Sequence, residues 1–182
     1  MSAEPDTAAT AAVSRDTGRT GADGDAVTAR HWQIRPAGPD DARAVAEAVR
    51  ELLLELGGTP PAQEAMSEVA SELIADPRLG VVLVADAGGE LVGVLAASWQ
   101  VAVHAPGRYA LIQDLWVDPG WRSHAIGREL LATLFALARE QGCRRAEVGL
   151  PRESFARFGA TEDFYLANGF EPNGPRMRRA LS

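Results

Sequence analysis

The sequence Asp114-Leu-Trp-Val-Asp-Pro-Gly-Trp-Arg-Ser-His-Ala-Ile-Gly-Arg128 joins an extended apolar run to the start of a helix. The run ends at an Asp-Pro-Gly turn, and a short basic loop leads directly into an apolar helical pattern that continues to Gln141. A helix N-terminus offers unpaired backbone N–H groups and the positive end of the helix dipole, and such a place binds phosphate. Arg122, His124 and Arg128 add side-chain charge. The stretch therefore predicts a pocket for a pyrophosphate-bearing ligand beside a strand end.

Around this stretch, hydrophobic periodicity and turn residues predict a mixed α/β domain of the order βααβββαβαβ, with helices on both faces of the sheet. Strands are predicted over Trp32–Pro36, Val81–Asp86, Leu91 to about Val103, Tyr109–Val117, Glu147–Leu150 and within Phe170–Leu181. Four helices are predicted. The first runs from Pro39 to the break at Gly57–Pro61, and the second runs from that break to about Ala75. The other two run from about Ile126 to Gln141 and over Thr161–Asn168. In the second helix, Met66, Val69, Leu73 and Ile74 are expected to face inward.

Length and composition favour one globular domain. The 182 residues can bury a substantial core, and residues 31–182 are expected to form it. Residues 1–30 are rich in Ala, Thr, Asp and Gly without periodicity, which predicts a disordered tail. The net charge of −7 argues against nucleic-acid or anionic-membrane partners and is compatible with a cationic substrate.

Cysteine and hydropathy exclude further classes. A single cysteine, Cys143, allows neither an intramolecular disulfide nor a cysteine-based zinc cluster, and no metal site is predicted. No stretch approaches the ~20 apolar residues of a membrane span, and no signal-peptide pattern opens the chain. The expected location is the cytoplasm.

Two motifs resemble the GCN5-related N-acetyltransferase (GNAT) superfamily. The loop reads Arg122-x-x-Ala125-x-Gly127, close to the family's Arg/Gln-x-x-Gly-x-Gly/Ala signature, and the later segment Phe164-Tyr-x-x-x-Gly-Phe170 matches the family's Phe-Tyr-x-x-x-Gly-Phe. The resemblance covers roughly residues 32 to 181. It implies a mostly antiparallel central sheet with a splayed central strand, and acetyl-CoA as cosubstrate. Ala125 replaces the family's first glycine, and Phe158 replaces an asparagine that is frequent there.

The resemblance also implies which residues hold acetyl-CoA. The predicted strand would carry a bulge and splay from its neighbour, so that its free backbone groups pair with the pantetheine arm. Leu115, Trp116 and Val117 are the strand candidates, and the Leu115 N–H is expected to polarise the acetyl carbonyl. The predicted pyrophosphate loop consists of Arg122, Ser123, His124, Ala125, Ile126, Gly127 and Arg128.

Tyr165 is the predicted general acid, because a phenol can protonate a thiolate leaving group and the resemblance places it near the cofactor sulfur. Asp114 is a carboxylate in a strand, where Asp is disfavoured; it would accept the amine proton or hold a cationic substrate. His104 is a second candidate base. Four further side chains are candidates for an acceptor pocket: Trp99, Gln100, Gln113 and Trp116.

These residues predict an acetyl-CoA-dependent N-acetyltransferase that transfers the acetyl group directly, in a ternary complex, to the primary amine of a small molecule. Transfer to a protein or peptide amine is the alternative within the enzymes. A non-catalytic acyl-CoA-binding or regulatory module is the alternative of another class. Formation of a homodimer is left open.

Overall fold

A five-stranded sheet in the order β1-β2-β3-β4-β5 organises the described residues, which are 31–103, 105–174 and 179 of a computed structural model. The strands are β1 Gln33–Pro36, β2 Gly80–Asp86, β3 Leu91–Ala102, β4 Ala105–Val117 and β5 Cys143–Val148. The helices are α1 Ala42–Glu55, α2 Gln63–Ala75, α3 Ile126–Glu140 and α4 Phe158–Ala167, with short 3-10 turns at Pro39–Asp41 and Pro119–Trp121. The first three strand pairs are antiparallel and the β4–β5 pair is parallel. The predicted fold class is thus confirmed.

Helices cover both faces of this sheet, and each face has its own core. On one face, Leu83, Leu95 and Ile112 pack with Leu130 and Leu134 of α3, together with Tyr165 of α4. On the other face, Val84, Val94 and Trp116 pack with residues of α1 and α2 such as Val45 and Ala70. Burying a side chain of this size contributes about 1.5–3 kcal/mol, so the two cores hold β3 and β4 firmly between them.

Four details of the sequence prediction were wrong. β4 begins at Ala105, four residues before the predicted start at Tyr109. β5 begins at Cys143, four residues before the predicted start. Its first residues are charged, but they pair with β4, and the Arg145 guanidinium packs over the Tyr109 ring (5.5 Å). α4 begins at Phe158 rather than Thr161. In α2, Leu73 and Ile74 pack against the core as predicted, but Val69 is 64% exposed and the neighbouring Ala70 is buried in its place.

Several predictions fall on residues outside the described part of the chain. They are the tail over residues 1–30, the candidate base His104, and most of the last strand predicted within Phe170–Leu181. For the residues that the structure does describe, no helix is long and apolar enough to cross a membrane.

Candidate active site

β4 leaves one of its edges open at the point where it leaves β5. The parallel pairing runs from Arg108 with Cys143 to Ile112 with Val148, and the recorded register ends there. On the other edge, β4 continues to pair with β3 as far as Val117 with Gly93. Between Ile112 and Asp114 the β3–β4 register shifts by one residue, which makes Gln113 the extra residue of a β-bulge. Residues 114–117 therefore form a strand segment that is paired on one side and unpaired with β5 on the other.

The phase of the β3–β4 ladder decides which backbone groups face that open edge. The Asp118 N–H donates to the Val92 carbonyl (3.0 Å). Because hydrogen-bonded and non-hydrogen-bonded pairs alternate in an antiparallel ladder, Trp116 and Asp114 direct their backbone groups to β3. Leu115 and Val117 direct theirs to the opposite, open edge. The Val117 carbonyl indeed accepts a hydrogen bond from outside the sheet, from Nε of Arg122 (2.9 Å).

The loop after β4 ends at an uncapped helix N-terminus. The Asp118 carboxylate accepts from the Gly120 N–H (2.8 Å) and thereby closes the turn. α3 begins at Ile126, and its N-cap residue, Ala125, supplies no side-chain hydrogen bond. No side chain among the described residues accepts a hydrogen bond from the first N–H groups of α3, so these groups and the helix dipole can receive an anion.

Two residues of this loop adopt a left-handed backbone conformation that favours glycine. Ser123 has φ 67° and Ala125 has φ 64°. Ala125 is the position where the resembled signature has its first glycine, and the chain makes the same left-handed turn with an alanine. The glycine of that signature is therefore explained here by backbone conformation.

Gly127, in the first turn of α3, lies against the aromatic ring of α4. A Cβ atom at this position would be 3.1 Å from Cζ and 3.3 Å from Cε2 of Phe164, and 3.9 Å from Cδ2 of Leu115. The missing side chain lets α4 pack directly on the start of α3. The same contact sets the position of the neighbouring residue, Tyr165.

Tyr165 is buried among aromatic rings on the α3–α4 face. Its ring meets those of Phe164 and Phe170 edge-on, each with a centroid distance of 5.2 Å. Its hydroxyl makes no hydrogen bond within the described residues. Burial, and then the charge of Asp114, raise the pKa of Tyr165 to about 12. The phenol is therefore protonated at neutral pH and can donate a proton.

Asp114 lies on the other face of the sheet, since it pairs directly with Ala96 of the α1–α2 core. Burial raises the pKa of the Asp114 carboxyl above its ordinary value of 3.8. No hydrogen bond or ion pair from the described part of the chain reaches this carboxylate. Asp114 and Tyr165 thus approach the open segment of β4 from opposite faces and still interact electrostatically.

Comparison with known proteins decides the family. The sequence pattern of the Acetyltransferase (GNAT) family matches residues 46–166, which is more than half of the chain. The chain belongs to the GNAT family. The matched region runs from α1 through the open segment of β4 and the loop to Tyr165 and Leu166.

Relatives and solved structures agree with this assignment. An aminoglycoside N(6′)-acetyltransferase type 1 from Stenotrophomonas maltophilia is 33% identical over 114 residues, which are 61% of this chain and 70% of the relative. A candidate acetyltransferase from Arthrobacter sp. FB24 is 31% identical, with a TM-score of 0.67 over 88% of this chain and 100% of that one. AAC(6′)-Iy in complex with the bisubstrate analogue CoA-S-monomethyl-acetylneamine has the same fold at 16% identity, with a TM-score of 0.69 over 84% of this chain and 99% of that one. The chain is accordingly a GNAT N-acetyltransferase.

The structure does not bring the four candidates for the acceptor pocket of this GNAT enzyme together. Trp99 packs against the α3-side core and donates from Nε1 to the Pro77 carbonyl (3.0 Å), whereas Trp116 lies in the α1–α2 core on the opposite face. Gln113 is exposed in the bulge, and Gln100 donates to the Ser98 hydroxyl (2.8 Å). The four side chains therefore form no single cluster, and their part in an acceptor pocket stays a prediction.

Two loop side chains have roles that the sequence did not indicate. Nδ1 of His124 lies within hydrogen-bonding distance of the carbonyls of Trp121 (3.1 Å) and Arg122 (2.9 Å), so this ring supports the loop. The Arg122 guanidinium is paired with Glu55 at the end of α1 (2.6 and 2.8 Å). Sequence reasoning missed Glu55, because its only signal was the four-residue spacing with Glu47 and Glu51 that places three carboxylates along one helix.

Proposed function

We propose that this GNAT enzyme transfers the acetyl group of acetyl-CoA directly to the primary amine of a small, cationic molecule. The observation that carries the proposal is the open edge of β4 at Leu115 and Val117, which leads directly to the uncapped N-terminus of α3. An unpaired strand edge and an unpaired helix N-terminus are both costly unless a ligand satisfies them. One ligand that carries amides at one end and a pyrophosphate at the other would satisfy both.

Acetyl-CoA fits these groups in order along the chain. Its pyrophosphate would accept hydrogen bonds from the backbone N–H groups of the loop over residues 122–128, with the side chain of Arg128 nearby. Its pantetheine amides would pair with the outward-facing backbone of Leu115 and with the N–H of Val117, whose carbonyl already accepts from Arg122. Trp116 would contribute less, because the ladder directs its backbone to β3. The thioester then lies near the bulge, where the Leu115 N–H can donate to the carbonyl oxygen as negative charge develops on it.

The transfer needs two proton movements, and the two faces of β4 offer one group for each. The amine nitrogen attacks the thioester carbon, so that a C–N bond forms, the C–S bond breaks, and the electron pair leaves with sulfur. Asp114 would accept the proton that the amine loses, and Tyr165 would give its proton to the departing thiolate. The raised pKa of Asp114 makes it a better base than an ordinary aspartate, and the raised pKa of Tyr165 keeps its proton in place until it is needed. Water would return the proton to Tyr165 after each turnover.

Charge and the relatives support the proposed acceptor class. A largely buried carboxylate without a cationic partner in the described residues attracts a cation, and the net charge of −7 favours the approach of one. The relative from S. maltophilia is named for acetylation of aminoglycosides at a 6′ nitrogen. Another protein of this fold was solved with sisomicin bound. We therefore expect the acceptor to be a small molecule with several amines.

The deciding experiment is a thiol-release assay with acetyl-CoA against a panel of amines, with the product mass measured for each. The panel should contain aminoglycosides with a 6′-amine, simple primary amines and lysine peptides. An aminoglycoside with a 6′-hydroxyl in place of the amine is the matched control. We expect acetylation of polyamine small molecules. Acetylation of the peptides alone would overturn the proposed acceptor class, and CoA binding without transfer to any amine would indicate a non-catalytic binding module.

A further inference from the structure

Glu55, the last residue of α1, connects three separate parts of the molecule. Its carboxylate accepts two hydrogen bonds from Nη2 of Arg122, at 2.6 Å to Oε1 and 2.8 Å to Oε2. Oε1 also accepts from the indole N–H of Trp116 in β4 (3.3 Å). One carboxylate therefore holds the end of a helix, the side of a strand and the start of the pyrophosphate loop.

Arg122 extends this connection to the open edge. Its Nε donates to the Val117 carbonyl (2.9 Å), which faces away from β3. The guanidinium thus occupies the last outward-facing carbonyl of β4 and ends the open edge on the side of the loop. Only about a quarter of each side chain is exposed, 24% for Arg122 and 29% for Glu55. Charge-assisted hydrogen bonds in such a setting are stronger than surface ion pairs.

This geometry changes the role expected for Arg122. Two of its three guanidinium nitrogens are bound to protein groups, and its charge is balanced by Glu55. The side chain therefore fixes the first residue of the loop, and the phosphates are left to the backbone N–H groups beyond it. Since Ser123 and Ala125 already have left-handed backbone, the loop needs an external anchor to keep these N–H groups directed to one place.

We propose that Glu55 is a positioning residue for the CoA pyrophosphate, acting through Arg122 on the loop. The inference rests on the proposed use of acetyl-CoA. If Glu55 is removed, Arg122 loses its partner and its orientation at Val117, and the loop N–H groups lose their fixed arrangement. The affinity for the pyrophosphate should then fall, although Glu55 itself does not touch the ligand. The pantetheine end, which would lie on Leu115, should be little affected.

The test compares three variants by calorimetry with CoA. Glu55→Ala should raise the Kd for CoA by about tenfold, and Glu55→Gln by a smaller factor, because the amide retains one acceptor but loses the charge and the paired hydrogen bonds. Glu51→Ala is the matched control, because Glu51 lies one turn earlier in α1, is exposed, and within the described residues pairs only with the adjacent Arg50. It should leave the Kd unchanged. Melting temperatures measured on the same samples identify any variant that fails to fold.

Pantetheine without the nucleotide distinguishes positioning from general damage to the site. Its binding, followed by ligand-observed NMR, should be the same in the wild type and in Glu55→Ala. The double variant Glu55→Ala/Arg122→Ala should bind CoA about as weakly as Glu55→Ala alone, since the two residues act as a unit. Equal CoA affinity in the wild type and both Glu55 variants, or tighter binding by them, would overturn the inference alone. A wild-type protein that does not bind CoA would overturn the proposed function as well.

Discussion

Replacing Ala125 by glycine should stabilise the protein, although an alanine-to-glycine change inside a helix destabilises a protein. Ala125 has φ 64° and ψ 2°, within the left-handed region. An L-residue there costs about 1–2 kcal/mol. Glycine removes that cost but gives the unfolded chain more freedom, which offsets about 0.4–1 kcal/mol. The free energy of unfolding should therefore rise by about 0.5–1 kcal/mol.

A matched control lies in the following helix. Ala132 is exposed in the middle of α3 and has helical backbone. Ala132→Gly should lower the free energy of unfolding by about 1 kcal/mol, because glycine is the poorer helix former. The two variants make the identical chemical change, yet they should differ by about 1.5–2 kcal/mol in opposite directions. Ser123→Gly, at φ 67°, repeats the test at a second left-handed position and should again stabilise.

Urea and thermal unfolding, followed by far-UV circular dichroism, measure all three variants. For a domain of this size, 1 kcal/mol corresponds to about 2–4 °C in Tm. We expect Ala125→Gly to melt a few degrees above Ala132→Gly, with the wild type between them. If Ala125→Gly lost as much stability as Ala132→Gly, the loop would not hold residue 125 in the left-handed conformation, and the explanation of the signature glycine would be wrong.

Three further predictions concern catalysis. Tyr165→Phe should lower kcat by about 10²-fold or more while the Kd for CoA changes little; an unchanged rate and pH profile would mean that another group protonates the thiolate. The pKa of Asp114 is raised, so its carboxylate form is lost at a higher pH than that of an ordinary aspartate when the solution is acidified. The acid limb of the pH profile of kcat/KM should accordingly lie above pH 3.8. The loss of activity in Asp114→Asn should shrink as pH rises, because free amine becomes abundant. If Asp114→Asn instead raises KM and leaves kcat intact, Asp114 anchors a cation and is not the base. Gly127→Ala should displace the Phe164 ring by a few tenths of an ångström and lower both kcat and Tm, whereas Gly159→Ala, where a Cβ meets nothing within 4 Å, should lower neither.

The local parts of the fold were predictable because local patterns determine them. The apolar stripe from Ile126 to Ala138 determines where α3 begins, and the turn capped by Asp118 determines where the loop before α3 begins. The two glycines between β2 and β3 both have positive φ (74° and 97°), as a tight hairpin requires. The first residues of β5 could not be predicted in this way, because contact with β4 outweighs the preferences of Arg144 and Arg145.

The direction of a long charged side chain was not predictable for the same physical reason. The family resemblance predicts that the loop containing Arg122 binds phosphate, and the charge of Arg122 alone suggests that it faces the ligand. Its actual partner, Glu55, lies 67 residues earlier in the chain. Only the packing of α1 against β4, which places Trp116 beside Glu55, brings the two together. A role for Arg122 in shaping the loop therefore emerges only at the level of tertiary structure.

The bulge in β4, which the family resemblance predicted, is confirmed by the strand register, and it explains how one strand serves both faces of the candidate site. Ile112 packs on the α3 side and so do Leu115 and Val117, although their positions in the sequence differ from that of Ile112 by odd numbers, three and five. Since side chains alternate strictly along a regular strand, one extra residue must lie between them, and Gln113 is that residue. If Gln113 were a regular strand residue instead of a bulge, Asp114 would face the same apolar core as Ile112, where an unpaired carboxylate costs several kcal/mol. The bulge moves Asp114 to the α1–α2 face and leaves Leu115 and Val117 facing Tyr165's side of the sheet. The inserted residue thus separates the candidate base from the candidate acid while the outward-facing Leu115 N–H lies between them.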